Sequence, residues 1–518
     1  MTRELVDFVI AETVRPLDRW AVAATLESRG IRDLDARERY GRRDVFDLAD
    51  EVYALCMEEE APDERDRDLP PGRGRAARLV VQRYLEGGFF FLPLTLQLGS
   101  LLILGYGQWA SLDFTRMQAS VVGVALIASF ALTGGFAQTL GYLGPYFASP
   151  GRHRLVARVV LRIVMLGVAV LLAAAALAWL VNMAVDAYPR RLFAAGLVYF
   201  GLAGCASLLS AVLYMLKQYV AMLAATVVGI AVVGVVLHHT GVGIYGSHWI
   251  GLSATIAVQA GWAAGVLARR AAGTKPELRV ARLPSSAALA ALVAPYAAYG
   301  ALYYALLFVD RLAAWSSGAH GLPFTFRAQY EVALDWALIS VVPALALLEV
   351  VVHEFSAHLI AAGKAHSASE AARHNRELRA FYLRRLSLVA AALVVGSALV
   401  FAGGRGADHL GLTKLEGMFG KRTTLEVYPI ALVGYALLVL ALFSVLFLLM
   451  LGRPKLVLRS LVPAIGVAVV TAFVLSRTLP YWTAAVGLAA GTLVFAVLAT
   501  RNALRVFGAV DYYYYAAY

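Results

Sequence analysis

The stretch LYYALLFVDRLAAW, residues 302–315, sets the terms on which the rest of the chain is read. It is apolar and aromatic and long enough to be most of a membrane helix, yet Asp310 and Arg311 sit side by side inside it. A charge facing hydrocarbon costs about 2.5–3.5 kcal/mol on insertion scales, so such residues face a wet cavity, a partner charge or a substrate. Neighbours in a helical sequence point about 100° apart, so the two need not bond each other. One placement makes them a structural pair near the end of the helix. There Trp315 marks the outer interface and Arg311 snorkels toward it. The other puts both at the mouth of a cavity, where Arg311 meets an anionic or hydroxylated substrate.

The whole chain supports a membrane setting. Of its 518 residues 60% are hydrophobic and its mean hydropathy is +0.69, against about 45–50% apolar in soluble proteins. Net charge is +12, but unevenly spread. Residues 1–86 hold 15 Arg and 20 acids, about −5, and the remainder 31 Lys+Arg and 14 acids, about +17. The basic residues lie in short loops between apolar runs and form no patch with interleaved aromatics, which argues against nucleic acid as a partner. The two cysteines, Cys56 and Cys205, fall in a polar and an apolar region and suit neither a disulfide nor a zinc framework. The opening MTRELVDFVIAETV lacks the basic-then-apolar pattern of a signal peptide.

From residue 87 onward about twelve apolar stretches can each cross ~30 Å of hydrocarbon. They fall near 87–107, 117–146, 158–185, 192–216, 220–238, 244–267, 287–315, 332–359, 386–403, 428–452, 456–479 and 482–504. In lipid only helices satisfy the backbone of runs this long. With the N-terminus in the cytoplasm, the inner loops and segment ends carry about 20 Lys/Arg and the outer ones about 9, a positive-inside bias. Both termini are then cytoplasmic and the membrane is the inner membrane of a bacterium. The PRR at 189–191 runs against this trend.

The expected architecture is therefore all-α: a polytopic membrane protein of about twelve transmembrane helices in two six-helix bundles, with a small N-terminal helical domain in the cytoplasm. Residues 1–56 read as that module, with Pro16 near a helix start, Gly30 at a stop and Asp44 as an N-cap. Residues 57–86 form an acidic, Pro- and Gly-containing linker and a helix leading into the membrane. The first bundle spans 87–267, a basic cytoplasmic loop 268–286, the second bundle 287–508, and a Tyr-rich tail 509–518. The six-and-six division rests on the span count, a plan that places a substrate cavity between halves.

The eighth stretch, EVALDWALISVVPALALLEVVVHEFSAHL (331–359), carries a polar stripe. Glu331, Asp335, Glu349 and His353 fall within roughly 60° of one helix face, which suggests a wet lining, and Pro343 lies mid-span where it kinks the helix. HEFSAH is no zinc motif, because its histidines are five apart rather than four. No P-loop and no nucleophile elbow occur, so neither a metal, a cofactor nor catalysis is expected. Energy would come from an ion gradient, from partners or from the moving polymer. The candidate cavity residues are Asp310, Arg311, Glu331, Asp335, Glu349, His353, Tyr303 and Tyr304, the tyrosines because sugar polymers favour aromatic, hydroxyl-bearing walls.

Asp310, Arg311 and Trp315, followed by Tyr330, Glu331, Pro343, Glu354 and Phe355, form a pattern that resembles the Pel exopolysaccharide transporter (PelG-like) family. That family lies within the superfamily of multidrug, oligosaccharidyl-lipid and polysaccharide flippases. The resemblance covers about 50 residues closely and the twelve-span layout over 87–508 loosely. The family's early basic-aromatic-x-Ser-Asp stretch is replaced here by GYLGPYFASPGRHR, which lacks the Asp, and residues 1–86 fall outside its pattern. The resemblance implies an inner-membrane exporter or flippase moving a polysaccharide or lipid-linked sugar by alternating access or through a conduit between two bundles. Its partners would be membrane lipids, that substrate and a cytoplasmic glycosyltransferase docking on residues 1–56. The alternatives are a cation-coupled, multidrug-type antiporter and a non-transporting membrane subunit that recruits a glycosyltransferase.

Overall fold

A computed structural model describes residues 2–13, 16, 18–58, 73–148, 153–273, 285–318, 322–365, 371–412, 414 and 417–515. Among these the β structure is a single isolated bridge between Tyr106 and Ser111; everything else ordered is helical. The helices are α1 (Thr2–Thr13), α2 (Arg19–Ser28), α3 (Asp33–Tyr40), α4 (Val45–Glu58), α5 (Arg73–Leu104), α6 (Arg116–Ala148), α7 (His153–Val185), α8 (Arg190–Met215) and α9 (Tyr219–His239). They continue as α10 (Ile244–Ala272), α11 (Ser286–Trp315), α12 (Ala328–Ala365), α13 (Ala371–His409), α14 (Arg422–Met450), α15 (Pro454–Thr478), α16 (Ala485–Phe507) and α17 (Val510–Tyr515).

The chain divides into two compact units. The smaller holds residues 1–83, 350–382 and 507–511. Within it α1–α4 close around Leu5, Val6, Val9, Val22, Leu26, Ala36, Val45, Leu48, Val52 and Cys56. Local signals set their ends. The Asp18 carboxylate accepts from Ala21 N at 2.8 Å and the Asp44 carboxylate from Asp47 N at 2.8 Å, each satisfying a donor at a helix start. Gly30 and Gly41 take left-handed φ of 88° and 67° where α2 and α3 stop. The sequence reading bounded this module at residue 56. The compact unit also takes in the far ends of α12 and α16 and the start of α13, where Phe355 meets Phe381 and Phe507 and Tyr382 meets Phe507. The acidic linker lies mostly outside the described residues.

The larger unit holds 84–349, 383–506 and 512–518. Among the described residues eleven helices are long and apolar enough to cross a membrane, and α5 makes twelve if its two limbs, Val81–Phe89 and Phe91–Leu104, count as one span bent by 55°. Pro93 removes the hydrogen bond to the Phe89 carbonyl and Gly87–Gly88 precede it, so the bend has a cause. α12 runs on through Pro343 as one helix. Two expected loops are also helical. The basic stretch 364–385 is largely the first turns of α13, and GGRGADH at 403–409 its last. Residues 371–385 are mostly Ala, Arg, Glu and Leu, with His374, Asn375, Phe381 and Tyr382 but no Gly or Pro, so nothing stops a helix already formed.

Packing repeats with a shift of six helices, which the sequence did not reveal. α6 packs on α8, and α12 on α14 through Trp336, Ser340 and Tyr428. α9 packs on α10, and α15 on α16 where a Cβ on Gly491 would touch Ala468 at 2.5 Å. α6 packs on α11 and α12 on α5, where a Cβ on Gly87 would come within 2.9 Å of the Glu349 Cβ. The two spans with least burial, α7 and α13, are also six apart. Their exposed Leu161, Met165, Leu172, Val394 and Leu399 present a face that only lipid suits. The closest crossing joins the halves: a Cβ on Gly134 of α6 would sit 2.5 Å from the Gly300 carbonyl of α11.

Two measurements follow from this packing. Gly134→Val forces α6 from α11 and costs about 1–3 kcal/mol, read as a lowered thermal midpoint in detergent. Gly141→Val on the same helix, with nothing within 4 Å of the added Cβ, leaves the midpoint unchanged. In the module, backbone N–H groups of Arg32 and Arg43, and then their guanidiniums, hold Asp35 and Asp47 below the usual carboxylate range. Their stabilisation is complete above the unfolded value of about 3.9 and is lost as pH falls through the lowered folded values. Amide exchange over 32–48 in the full chain is therefore faster at pH 3 than its intrinsic rate predicts, while that of α9 is not.

Candidate functional site

The charged side chains of α11 and α12 meet near the ends of both helices adjoining the short 316–327 connection. The guanidinium of Arg311 donates through Nε to Glu331 Oε2 at 2.8 Å, through Nη2 to Asp335 Oδ1 at 3.4 Å and through Nη1 to the Tyr435 hydroxyl of α14 at 3.1 Å. The other Glu331 oxygen accepts from Trp315 Nε1 at 2.9 Å. Asp310 does not bond Arg311's side chain. Its Oδ2 accepts from the Tyr330 hydroxyl at 2.7 Å, and its Oδ1 is buried without a partner. Asp310, Arg311 and Glu331 are 0%, 6% and 8% exposed, whereas the Asp335 side chain keeps 34% of its surface. One cation is thus set among three carboxyl groups, and Asp335 is the member that reaches an open face.

Helix geometry explains why these residues meet. Glu331 and Asp335 are four apart and share one face of α12, and Arg311 and Trp315 do the same on α11. Two antiparallel helices joined by a short connection then place one pair opposite the other. Tyr330, one residue off the Glu331 face, turns instead to Asp310. Thr424 Oγ1 donating to Gln329 O at 3.4 Å and Trp336 packed on Phe419 and Tyr428 hold α14 beside α12, which brings in Tyr435.

Arg311 does not snorkel and Trp315, 3% exposed, does not mark an interface. Both expectations are corrected by the hydrogen bond each makes to Glu331, which draws them inward. Glu331 is likewise enclosed rather than wet. Tyr303 and Tyr304 are half-exposed on α11. Tyr304 stacks on Phe130 of α6 at 6.3 Å and on Phe308 at 6.0 Å, and Phe308 lies 5.4 Å under the Arg311 guanidinium. Tyr304, Phe308 and Arg311 thus form one ladder at i, i+4, i+7. Glu349 is about 21 Å further along α12 from Asp335, packed where α5 crosses, and His353 belongs to the other compact unit. Neither joins the cluster, so the four-residue stripe splits into two ends. Tyr330, Trp315 and Tyr435 complete the network but were not among the candidates. The acid–aromatic neighbours Tyr330–Glu331 signalled the first; nothing in sequence signals Tyr435, 124 residues from Arg311. Among the described residues no three His, Cys, Asp or Glu side chains gather to hold a metal.

The fold is that of a class of twelve-helix membrane proteins, the MATE transporters of the MOP superfamily. Among solved structures the chain is similar to a mutant of the Vibrio cholerae MATE transporter VcmN, with 15% identity, a TM-score of 0.58, and coverage of 85% of this chain and 98% of that one. It is similar to a MOP superfamily transporter from Pyrococcus furiosus with a binding pocket of reversed polarity, at 14% identity and TM-score 0.55, covering 83% and 96%. An outward-facing multidrug resistance MATE transporter matches at 15% identity and TM-score 0.53, covering 84% and 96%. At these identities the likeness is one of fold. No family model matches the sequence and no curated protein is significantly similar to it.

Removing one side of a buried pair leaves the other charge stranded, at a cost of about 3–5 kcal/mol. Arg311→Met therefore lowers the unfolding midpoint in detergent sharply, and the double change Arg311→Met/Glu331→Leu recovers most of the loss. Tyr435→Phe, which removes one hydrogen bond, costs about 1 kcal/mol.

Proposed function

We propose that this protein is a bacterial inner-membrane exporter that moves a polysaccharide or a lipid-linked sugar, with the Arg311 cluster at the edge of its path. The observation that carries the reading is the coincidence of two sets of residues. Of the residues that carry the resemblance to Pel exopolysaccharide transporters, Arg311, Trp315 and Glu331 are joined by hydrogen bonds, and Asp310 and Tyr330 form a second bonded pair beside them. Beside it the half-exposed Tyr303 and Tyr304 offer rings and hydroxyls of the kind a sugar chain slides along. The fold shared with transporters supports alternating access of two halves.

In this reading Arg311 works as a latch. With all its acids ionised the cluster would carry two more negative than positive charges in a low-dielectric setting, which is costly. A proton or a monovalent cation offsets that excess, and Asp335, the exposed member, is where it exchanges with water. Binding or loss of the cation changes how firmly Asp335 holds Arg311, and so how firmly α12 is tied to α11 as the path opens. The net-negative cluster also favours a second reading, a cation-coupled antiporter for small molecules. The Lys/Arg asymmetry supports cytoplasmic termini, which places the module of α1–α4 where it can dock a cytoplasmic glycosyltransferase.

Polymer export from cells, with protein abundance measured alongside, tests the latch. Asp335→Asn leaves Glu331 as the buried partner of Arg311, so the protein accumulates normally while export falls at least about tenfold. Normal export in Asp335→Asn rejects the latch. Resistance to cationic drugs without any polymer export replaces the exporter with the antiporter. For topology, a cysteine at Gly273 in a chain lacking Cys56 and Cys205 is expected to resist an impermeant maleimide in intact cells and to react after lysis.

A further inference from the structure

The first half of the larger unit holds a second polar-aromatic site, built from α6, α8 and α10. Where α6, α8 and α10 begin, a cavity of about 490 Å³ is bounded by Gln118, Arg191, Tyr245 and Trp249, with aliphatic wall from α8. That volume is in the range of small-molecule sites, about 300–1,000 Å³. Tyr245 and Trp249, one helical turn apart on α10, stack nearly parallel, 8° between planes and 6.1 Å between centroids, and both line the cavity, giving it an aromatic wall. The edge of this wall is polar. The Tyr245 hydroxyl and Trp249 Nε1 are both buried with no hydrogen-bond partner, and Gln118 lines the same cavity. Behind it His248, 0% exposed, meets the Tyr199 hydroxyl through Nδ1 at 2.8 Å and leaves Nε2 without a partner. Arg191, part of the PRR that ran against the charge trend, stands exposed at the rim.

Buried polar groups left unpaired are costly, and three within about one turn of helix, the Tyr245 hydroxyl, His248 Nε2 and Trp249 Nε1, are poorly explained by packing. A flat aromatic face next to N–H donors is the chemistry that holds a sugar ring: its axial C–H bonds lie on the rings and its hydroxyls accept from the donors. We propose that this cavity binds one pyranose unit of a saccharide chain, with Tyr245 and Trp249 as the platform and Gln118 and Arg191 contacting hydroxyl or carboxylate oxygens. The inference rests on the polysaccharide reading for its choice of ligand. In the proposed orientation the cavity lies at the outward end, where an emerging chain could be held while the path resets.

The test uses the full chain in phosphatidylcholine/phosphatidylglycerol nanodiscs, prepared without sugar-headed detergent. Saturation-transfer NMR is run with three tetrasaccharides: one of neutral hexose, one of N-acetylhexosamine and one of uronic acid. At least one is expected to receive saturation on the C–H protons of one ring face. Trp249→Leu and Tyr245→Leu raise the half-saturating concentration about tenfold, the equivalent of 1.4 kcal/mol. Arg191→Gln, at an exposed position, weakens the uronate above the others and serves if the aromatic variants fail to fold. Absence of transfer with all three sugars, or transfer unchanged in every folded variant, overturns the site. Polymer export is scored separately in cells. Export without binding rejects this cavity and leaves the exporter; binding without export keeps the cavity and rejects the exporter.

Discussion

The second half of the molecule turns on the Arg311 guanidinium. Planar and always charged, it presents donors in a fixed fork, and here the fork is fully used: Glu331, Asp335 and Tyr435 each take one side. Those partners lie on α12 and α14, so one side chain fixes three helices. Neither lipid nor an apolar core could hold this charge unpaired. The positions of Glu331, Asp335 and Tyr435 are therefore conditions of the fold as much as features of a site; Trp315 donates to the second Glu331 oxygen, and Tyr330 separately to one oxygen of Asp310.

Internal repetition of the helix packing makes the difference between halves informative. In α6, the counterpart of α12, the buried hydroxyls bond carbonyls one turn back: Ser120 donates to the Arg116 carbonyl, Thr133 to that of Ser129 and Thr139 to that of Gly135. Their links to other segments are neutral ones, Thr133 to the Ser207 hydroxyl of α8 and Ser120 from Phe326 N. In α12 the polar groups are carboxylates, which must find partners across helices. The first half spreads its buried polar groups as neutral pairs, such as Gln108 with Thr255 and Gln259 with Ser210, whereas the second concentrates charge around Arg311. One architecture thus carries two chemically distinct polar interiors.

Residues 1–58 follow different rules. Their core of Val, Leu and Ala is small, and capping carries much of the definition: Asp18, Asp35, Asp44 and Asp47 each accept from a backbone N–H at or near a helix start. The aspartates that make this segment acidic are thus spent on helix ends. Trp20 and Phe46 meet at 5.3 Å while remaining more than 45% exposed, an apolar spot of the kind a soluble partner would cover.

What the sequence determined by itself was whatever depends on transfer out of water and on local backbone chemistry. Twelve apolar runs, their helical state, the module's caps at Asp44 and Gly30, and the pairing of Arg311 with the acids near the start of the next span could all be read from residue type and spacing, because helix periodicity and a short connection leave few alternatives. Helix lengths could not, since residues 371–385 and 403–409 are polar enough to read as loops and are helical only because the helix beside them propagates. The inward turn of Trp315 was also hidden. A Trp near a span end reads as an interfacial anchor until Glu331 is seen to accept its N–H. Tyr435, the orphaned Nε2 of His248 and the repeat of packing by six helices depend on residues far apart in the chain. Burial in lipid selects for apolarity at each span without specifying which spans touch; that choice falls to small residues such as Gly134 and Gly300 and to charges that must be paired, and only the assembled structure shows how the choice is made.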